Sequence, residues 1–387
     1  MIEATIEVQE SALKTIRGIL RRLLEQGTVD AWLVPMALPS GDVGPTSPGG
    51  SVAPMLVTDP EALEKADPLA PVLPINAARA VANLTVTGHQ EKLGVVLRAC
   101  EIRALVELVK FQQAKANASA GDNILIVGID CLGTYRVTDY QAARDKGRLA
   151  DELLEGAMNG ELRPYEGLAF RAACQMCEQP LPDGDHVDLT IGLVGVEPGK
   201  VYFKARDELG EALGLAANDA PAARAEAVEK LVASRVDARD AAFGQFRDRV
   251  DSMGGLLEEF SACIRCHNCM INCPICYCKE CIFRTATFEH ESQLYYQWAA
   301  RKGEVRMLPD TLLFHLTRLN HMVTSCVGCG LCTEACPVDI PVGTVFRTVG
   351  EKVQAIFDYH PGRSLEEEAP VQEFREDELT TLGSRPH

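Results

Sequence analysis

The sequence predicts an N-terminal domain of α/β or α+β type followed by a mainly α-helical domain that is rich in cysteine. In the first half of the chain, apolar strand-like runs alternate with amphipathic helix-like runs, a pattern that is typical of α/β units. In the second half, eleven of the 15 cysteines lie between Cys263 and Cys336. A chain of 387 residues has room for two or three domains.

The first elements are a helix, a strand and a loop. Residues 12–26 predict an amphipathic helix, because their leucines and isoleucine share one face, and Gly27 is a suitable helix stop. Residues 31–35 predict a short strand. Residues 37–52 are rich in Gly, Pro and Ser and predict an exposed loop.

Two α/β units follow. Residues 93–97 predict a strand, residues 101–113 a helix and residues 123–129 a second, almost wholly apolar strand of the buried parallel type. Cys100 and Cys131 each stand just past one of these strands. Because ligands gather at the carboxyl ends of strands in open α/β sheets, we expect these two cysteines to converge on one site.

The remaining elements complete a predicted division of the chain. Residues 187–196 predict a β-rich segment, and residues 221–249 predict a helix that begins with Asp219 as its cap and Pro221 in its first turn. Residues 364–378 are acidic and predict a disordered tail. The predicted parts are an α/β domain (1–205), a helical connector (206–255), a cysteine-dense domain (256–350) and an acidic tail (351–387).

Charge and hydropathy exclude several classes of partner. The formal net charge of −17 argues against nucleic acid or an anionic membrane surface. No run reaches the roughly 18 apolar residues that a membrane-spanning helix needs, and no signal peptide is visible. We therefore expect a cytoplasmic protein, in which structural disulfides are disfavoured and crowded cysteines indicate metal or redox chemistry.

Two complete cysteine runs carry that chemistry. They read Cys263-x2-Cys266-x2-Cys269-x3-Cys273-Pro274 and Cys326-x2-Cys329-x2-Cys332-x3-Cys336-Pro337. This is the spacing of bacterial ferredoxins, in which the fourth cysteine of each run turns away to ligate the other [4Fe–4S] cluster. The predicted cluster 1 site is therefore Cys263, Cys266, Cys269 and Cys336, and the predicted cluster 2 site is Cys326, Cys329, Cys332 and Cys273.

Structural zinc is the alternative for these runs. Zinc sites use paired Cys-x2-Cys knuckles with four ligands, which leaves the third cysteine and the Cys-Pro ending of each run unexplained. The 52 residues between the runs, from Pro274 to Ser325, predict two further helices, and Trp298 is expected to pack in the core there. Three more cysteines in this insert remain open as packing residues, as thiols beside the clusters or as ligands of a further site: Cys276, Cys278 and Cys281.

Four segments of the N-terminal half resemble the beta-subunit family of coenzyme F420-reducing hydrogenases and dehydrogenases. They are residues 97–105 (LRACEIRAL), 127–134 (VGIDCLGT), 171–177 (RAACQMC) and 187–195 (VDLTIGLVG). The resemblance spans roughly residues 12–200 in the same order. It implies a fold that holds an FAD and a third [4Fe–4S] cluster. The implied cluster 3 site consists of Cys100, Cys131, Cys174 and Cys177.

The C-terminal domain is similar to a branch of this family found with formate dehydrogenases and heterodisulfide-reductase-type complexes. In that branch, as in residues 273–281 here, a ferredoxin-type run leads directly into Cys-Tyr-Cys-Lys-Glu-Cys. Residues 318–341 also resemble the small two-cluster subunit of heterodisulfide reductases. The resemblance implies other redox subunits as partners, with coenzyme F420 or another two-electron carrier as the reaction partner.

The flavin site is the point where the chain departs from the family. Family members often have Asp-Gly-Gly at the start of the first helix, whereas this chain has Thr15-Ile16-Arg17-Gly18. The resemblance implies Arg17 and Gly18 as the flavin contacts. No G-x-G-x-x-G run follows a strand, so no Rossmann-type nicotinamide site is predicted.

These features predict an iron–sulfur flavoprotein subunit that passes electrons within a formate dehydrogenase, hydrogenase or heterodisulfide-reductase-type complex. Clusters carry single electrons, and a flavin would convert them to pairs. The alternative is a flavin-free relay between two redox partners. A cluster-based sensor is disfavoured, because no output domain is visible in the sequence.

Overall fold

The structure, a computed structural model, describes most of the chain. The described residues are 1–8, 10–38, 51–87, 91–115, 123–143, 146–182, 184–305, 307–308, 310–372 and 374. Within these ranges no helix is both long and apolar enough to cross a bilayer. Most of the predicted loop at 37–52 and the acidic residues 376–378 lie outside the described residues.

A seven-stranded mixed sheet forms the N-terminal half. Its strands, in chain order, are β1 (Ile2–Glu7), β2 (Ala31–Ala37), β3 (Val52–Val57), β4 (Leu93–Arg98), β5 (Ile124–Ile129), β6 (Leu189–Gly192) and β7 (Lys200–Ala205). The order across the sheet is β1-β7-β6-β5-β4-β2-β3. The central strands β2, β4, β5 and β6 are parallel, and the remaining pairings are antiparallel.

Fourteen helices of the described chain surround and extend this sheet. The first seven are α1 (Ala12–Glu25), α2 (Ala77–Thr85), α3 (Ala99–Lys110), α4 (Val137–Ala142), α5 (Lys146–Ala157), α6 (Ala172–Gln175) and α7 (Asp207–Ala212). The others are α8 (Arg224–Arg249), α9 (Met253–Glu259), α10 (Asn268–Ile271), α11 (Ser292–Lys302), α12 (Thr311–Met322), α13 (Leu331–Glu334) and α14 (Val342–Ile356). The predicted fold class, an α/β region followed by a mainly helical 4Fe-4S domain, is confirmed.

Helix α1 covers one face of the sheet. The side chain of Ser11 accepts a hydrogen bond from the Lys14 amide at 3.1 Å and caps the helix, which ends before Gly27 at φ 68°. Its buried face contains Ile16 and packs in a core with Trp32, whose indole nitrogen donates to the Leu20 carbonyl at 2.9 Å. This helix matches the predicted one closely.

Helices α2 and α3 cover the opposite face and join the two halves of the chain. Leu105 and Leu108 of α3 belong to one hydrophobic core with Met270 and Phe314 of the cysteine-dense region. Arg136 also forms an ion pair with Asp339 at 2.9 Å. The cysteine-dense helices therefore pack directly on the α/β unit.

Several predicted elements differ from the structure. The β-rich segment at 187–196 contains a strand only at Leu189–Gly192, because the following residues turn around the buried Asp130 carboxylate, which accepts the amides of Leu193 and Val194. Helix α8 begins at Arg224 with no side-chain cap, so the prediction of Asp219 as its cap was wrong. Strands β1, β3 and β7 were not predicted.

The described part of the C-terminal tail also departs from the expectation of disorder. Helix α14 continues through Ile356, and the chain then folds back along α3. The Glu107 carboxylate, which is fully buried, accepts the Tyr359 hydroxyl at 2.6 Å and the Gly362 amide at 2.8 Å. Ala369 is fully buried as well. The tail is therefore held to the body of the protein at least as far as residue 372.

The insert between the cysteine runs contains the expected helices but not the expected core. Helix α11 has no buried residue along its length. Trp298 stacks edge-on against Tyr295 at 5.3 Å and against His290 at 5.1 Å between ring centroids. The prediction that Trp298 packs in the core was wrong, because these rings form a cluster at the surface of the protein.

Candidate iron–sulfur centres

The structure brings together the four thiols of the predicted cluster 1 site. The pKa of Cys269 is raised to about 11, chiefly by burial, against Arg318, and with contributions from the neighbouring thiols of the site: Cys263, Cys266 and Cys336. The pKa of Cys263 is raised in the same way, first by burial and then by Cys266 and Cys336. Cys336 from the second run therefore lies beside the first run, as the ferredoxin spacing predicts.

The cluster 2 site has the reciprocal arrangement. The pKa of Cys329 is raised to about 12 and that of Cys332 well above its ordinary value, in both cases first by burial and then by Cys273 of the first run. Cys326 also lies close to Cys273. Each run thus sends its fourth cysteine to the other site.

The loops of the two runs share a backbone conformation. Arg265 and His267 are left-handed, at φ 55° and 60°, and the equivalent positions of the second run are Gly328 and Gly330, at φ 70° and 71°. Side chains in this region cost roughly 1–2 kcal/mol each, so the first loop needs support from elsewhere. That support comes from α12 and its N-cap, since Arg265 forms an ion pair with Asp310 and His267 stacks on Phe314 at 4.7 Å.

The predicted cluster 3 site lies at the carboxyl edge of the sheet. Cys100 is in the first turn of α3, Cys131 follows β5, and Cys174 and Cys177 lie in and after α6. Burial raises the pKa of Cys100 well above its ordinary value, and two thiols of the site, Cys131 and Cys177, raise it further. Cys131 is in turn influenced by Cys174 and Cys177. The two strand-end cysteines therefore converge with the Cys-x2-Cys pair.

Buried carboxylates hold the loops that carry these strand-end cysteines. The Glu101 carboxylate accepts the backbone amides of Ala77 and Arg98, both at 2.9 Å, and so fixes the first turn of α3 beside Cys100. The Asp130 carboxylate precedes Cys131 and is paired with Arg224 at 2.7 Å. The site is thus rigidly positioned by groups that are not themselves candidate ligands.

The donor atoms of the three candidate sites are all cysteine sulfurs. All 15 cysteines are free thiols. Among the described side chains, no three His, Cys, Asp or Glu residues converge closely enough to hold one metal ion. A tetrahedral Zn²⁺ needs its sulfur ligands at about 2.3 Å, whereas the iron–sulfur cube is larger and holds its four thiolates further apart. Each of the three sites thus offers an all-cysteine donor set of the kind that would suit a [4Fe–4S] cluster.

The three sites form a row with cluster 2 in the middle. Clusters 1 and 2 exchange cysteines, and the thiol of Cys329 in cluster 2 lies near enough to Cys100 in cluster 3 to raise its pKa. The loops of clusters 2 and 3 also touch, because Arg347, beside Gly328, donates to the Met176 carbonyl at 2.7 Å. The three thiol groups therefore follow one another in the order cluster 1 site, cluster 2 site, cluster 3 site.

Polar side chains around the sulfurs were missed by sequence reasoning. His315 Nε2 lies 3.3 Å from the Cys263 sulfur, and Arg318 Nη1 donates to the Cys269 sulfur at 3.2 Å. Burial lowers the pKa of His315 to about 3, so its ring is neutral. Both residues lie on one face of α12 at a spacing of three, which is a sequence signal that could have pointed to them once the helix was placed beside the first run.

Thr134 and Arg171 are the corresponding groups at cluster 3. The Thr134 hydroxyl lies 3.1 Å from the Cys174 sulfur, and Arg171 Nη2 lies 3.6 Å from it. Burial alone would raise the pKa of Cys174, but Arg171 and Thr134 outweigh burial and lower it. Arg171 and Thr134 therefore favour the thiolate form of Cys174.

Comparison with known proteins gives the same interpretation. Residues 259–340 match the model of a family described as 4Fe-4S dicluster domain. The chain is 28% identical over 300 residues to the F420-dependent formate dehydrogenase subunit beta of Methanocaldococcus jannaschii, covering 70% of this chain and 74% of the relative. It is 27% identical over 310 residues to the F420-dependent formate dehydrogenase 1 subunit beta of Methanococcus maripaludis, covering 72% and 74%.

The chain is an iron–sulfur subunit of an oxidoreductase. The resemblance to the beta subunits of F420-dependent enzymes, predicted from the cysteine-containing segments, is confirmed. A chain in the solved F420-reducing [NiFe] hydrogenase complex from Methanosarcina barkeri is similar at 14% identity and a TM-score of 0.40, over 66% of this subunit and 94% of that chain. That likeness in shape is slight.

Three thiols of the iron–sulfur subunit stand outside the three sites. Cys276, Cys278 and Cys281 line a cavity of about 320 Å³ together with Arg79 and His321. The pKa of Cys276 is raised to about 11, chiefly by burial and then by Cys273 of the cluster 2 site. These thiols adjoin the clusters, and their role stays open among the three alternatives that the sequence left.

The structure places the two candidate flavin residues of the iron–sulfur subunit inside α1. They stand in the second turn, since the helix begins at Ala12. Arg17 Nε donates to the Ala66 carbonyl at 2.7 Å. Gly18 is exposed, and a Cβ added there would meet nothing within 4 Å. Ile16, which would crowd a ligand at this turn, points into the core instead.

Proposed function

We propose that this subunit passes electrons between a partner subunit that oxidises the primary substrate and a two-electron carrier that reacts at a flavin. The observation that carries the proposal is the row of three four-thiol groups, which joins the helical part of the chain to the edge of the α/β sheet. The relatives named above act in F420-dependent formate dehydrogenases. Complexes of formate dehydrogenase, hydrogenase or heterodisulfide-reductase type are therefore the proposed setting.

The chain's own residues would hold and insulate the electron carriers. When bound, a [4Fe–4S] cluster stores and releases one electron at a time. The thiol of Cys269 is buried and those of Cys329 and Cys332 are half-buried, which limits the access of water to the sulfurs. Cys266, by contrast, is exposed. We infer that electrons enter or leave the row at cluster 1, on the side of Cys266.

The proposed ligands and flavin contacts are the residues that the sequence predicted. We propose [4Fe–4S] ligation by Cys263, Cys266, Cys269 and Cys336, by Cys326, Cys329, Cys332 and Cys273, and by Cys100, Cys131, Cys174 and Cys177. We also propose one non-covalent FAD near cluster 3, with Arg17 and Gly18 among its contacts. The support is the open space at Gly18 and the position of Cys100 and Cys131 at the ligand-binding edge of the sheet.

The proposal also assigns each cofactor to a part of the chain and the subunit to a cell compartment. We assign the flavin and cluster 3 to residues 1–205, since the last of the seven strands ends at Ala205. Residues 206–255 connect this unit to residues 256–350, which hold clusters 1 and 2. Because the 15 cysteines are free, we propose that the subunit works in the cytoplasm beside its redox partners.

Flavin analysis tests the proposal against the flavin-free relay. The protein is purified anaerobically, incubated with excess FAD, freed of unbound flavin and denatured, and the released flavin is assayed. About one equivalent per chain supports the flavoprotein. Less than about a tenth of an equivalent in protein with full iron content rejects the flavin and leaves the relay, which needs no converter between single electrons and pairs.

A Gly18 variant locates that flavin. Gly18→Leu fills the exposed position on α1 and should lower flavin occupancy, while iron content stays unchanged. Gly244→Leu is the matched control, since it also stands within a helix with nothing within 4 Å of an added Cβ. Equal flavin content in the two variants would remove Gly18 from the proposed site.

A further inference from the structure

Arg318 lies at the junction between clusters 1 and 2. Its Nη1 donates to the Cys269 sulfur at 3.2 Å and its Nη2 to the Cys269 carbonyl at 3.1 Å. Burial lowers the pKa of this guanidinium, but the surrounding thiols outweigh burial and raise it. These thiols are Cys269 of cluster 1 and Cys273 and Cys332 of cluster 2. The rings of Phe314 and Phe346 hold the guanidinium in place.

Arg171 lies at the junction between clusters 2 and 3. Its Nε donates to the Thr134 hydroxyl at 2.7 Å, and its Nη2 lies 3.6 Å from the Cys174 sulfur. Burial lowers the pKa of Arg171, and thiols of both adjacent clusters raise it. They are Cys174 and Cys100 of cluster 3 and Cys329 of cluster 2. The half-buried Glu334 adds to this effect.

The two arginines share a second property. Each is only 4% exposed, and each keeps one buried N–H without a partner among the described residues, at Nε of Arg318 and at Nη1 of Arg171. Leaving a buried charged donor unpaired is costly. The sulfide corners of a bound cluster would supply the acceptors that these two donors lack. The unpaired donors therefore fit a chain with its clusters in place.

We propose that Arg318 and Arg171 are junction residues, each of which raises the reduction potentials of both clusters that it separates. Reduction adds one negative charge to a cluster already ligated by four thiolates. A fixed positive charge in a buried site stabilises that added charge, and N–H donation to a ligating sulfur acts in the same direction. Because cluster 2 adjoins both arginines, both of them raise its reduction potential.

This inference rests on the proposed electron-transfer function and specifies how it is tuned. A raised potential at the middle cluster favours its reduction by either neighbour, so the electron resides there for longer. Neither arginine needs to bind a partner or a substrate to do this. They act through the clusters and are positioning residues.

Potentiometric titration of the anaerobic full chain, followed by EPR, tests the proposal. Arg318→Met keeps the buried stem and removes the charge; it should lower the potentials of clusters 1 and 2 and leave cluster 3 unchanged. Arg171→Met should lower the potentials of clusters 2 and 3 and leave that of cluster 1 unchanged. We expect about a tenfold shift of each affected one-electron equilibrium, or about 59 mV. The signals are assigned with cysteine variants that each damage one cluster.

Conservative variants separate charge from hydrogen bonding. Arg318→Lys keeps the positive charge and loses the paired N–H donation of the guanidinium to Cys269. The potential of cluster 2 should therefore stay near its original value, while that of cluster 1 falls in part. His315→Phe keeps the ring stacked on Phe260 and loses the Nε2 atom 3.3 Å from the Cys263 sulfur, so it should lower the potential of cluster 1 alone. Arg21→Met is the control on α1, where the arginine pairs with Glu64.

The outcomes distinguish this inference from the proposed function. Iron-loaded variants whose potentials all match the wild type would overturn the junction role and leave electron transfer intact. A shift of a single cluster in each methionine variant would also overturn it. A wild-type chain that binds no clusters would reject the proposed function itself. If Arg318→Met fails to fold, Arg318→Lys still tests the role of Arg318, because a potential of cluster 1 equal to that of the wild type would contradict it.

Discussion

Gly330 lies against Ala173 so closely that a Cβ added to Gly330 would stand 2.2 Å from the Cβ of Ala173. Gly330 is in the loop of cluster 2, and Ala173 is next to Cys174 of cluster 3. The equivalent position in the loop of cluster 1 is occupied by His267, which faces Phe314 instead. Of the two matching loops, only that of the second run therefore requires glycine at this position, because only that loop packs against the loop of cluster 3.

Gly330→Ala should separate the loops of clusters 2 and 3. The variant combines a clash with a left-handed φ of 71°, whereas Gly303→Ala has φ 85° and nothing within 4 Å. We expect Gly330→Ala to lower the free energy of unfolding by roughly 1–3 kcal/mol more than Gly303→Ala, which is the cost of overpacking. Thermal unfolding of the anaerobic proteins measures the difference, and equal midpoints would contradict the close contact.

The anaerobic protein should contain about twelve irons, four for each of three cubane clusters. It should be brown, with matching acid-labile sulfide and little zinc. Iron, sulfide and zinc analysis of the same sample checks this. Stoichiometric zinc with little iron in strictly anaerobic protein would contradict the iron–sulfur assignment.

Cys329→Ser should damage cluster 2 and leave cluster 3 intact, and Cys174→Ser should do the reverse. The ligands of the two clusters come from different parts of the chain, so loss of one cluster should not unfold the other site. Iron content and EPR of each variant provide the measurement. Loss of all iron in either variant would show that the clusters assemble as one unit.

Tyr359→Phe should loosen the C-terminal tail. The substitution removes the hydroxyl that donates to the fully buried Glu107 carboxylate and leaves only the Gly362 amide and the more distant Lys110 there. A buried group that loses its partner costs about 1–3 kcal/mol. The expected result is a lower melting temperature and faster proteolysis beyond α14, compared with the exposed control Tyr296→Phe. Unchanged proteolysis would show that Glu107 does not hold the tail.

His186 should make the protein less stable in mild acid. Burial lowers its pKa below the ordinary value of about 6.5, and nearby Arg206 and Lys110 lower it further, against Asp185. The unfolded chain therefore takes up a proton first as the pH falls below about 6.5, and stability is lost there at up to about 1.4 kcal/mol per pH unit.

His186→Phe removes that titration and keeps a ring in the buried position. Its melting temperature should depend less on pH between about 6.5 and 5 than that of the wild type. The exposed His360→Phe variant is the control and should retain the wild-type slope. Parallel pH profiles for wild type and His186→Phe would contradict the buried neutral histidine.

Sequence patterns correctly predicted those helices and strands whose structure is specified by neighbouring residues in the chain. Helix α1 has an apolar face, a capping Ser11 and a terminal Gly27, so its limits were predicted almost to the residue. Strands β4 and β5 are continuous apolar runs, which is typical of central parallel strands. Strands β1 and β7 were missed because they pair with each other over a long sequence separation.

The close approach of the two cysteine runs was predictable because ferredoxin-type spacing directs the fourth cysteine of each run towards the other run, while the ligation itself stays a prediction. The grouping of Cys336 with the first run and of Cys273 with the second followed from spacing alone. Arg171, Arg318 and His315 were not predictable in the same way. Their contacts depend on how α6 and α12 pack around the cysteine loops, and no local pattern in the sequence specifies tertiary packing.

The exchange of Cys273 and Cys336 between the two runs has a consequence for the order in which the protein is made. On the ribosome, the four cysteines of cluster 3 have all been synthesised once Cys177 emerges. Clusters 1 and 2 each lack a ligand for much longer, because Cys336 closes cluster 1 and Cys332 closes cluster 2. In the proposed ligation, cluster 3 can thus be loaded during translation, whereas the other two become complete almost together, just before α14, the last helix of the described residues, is released.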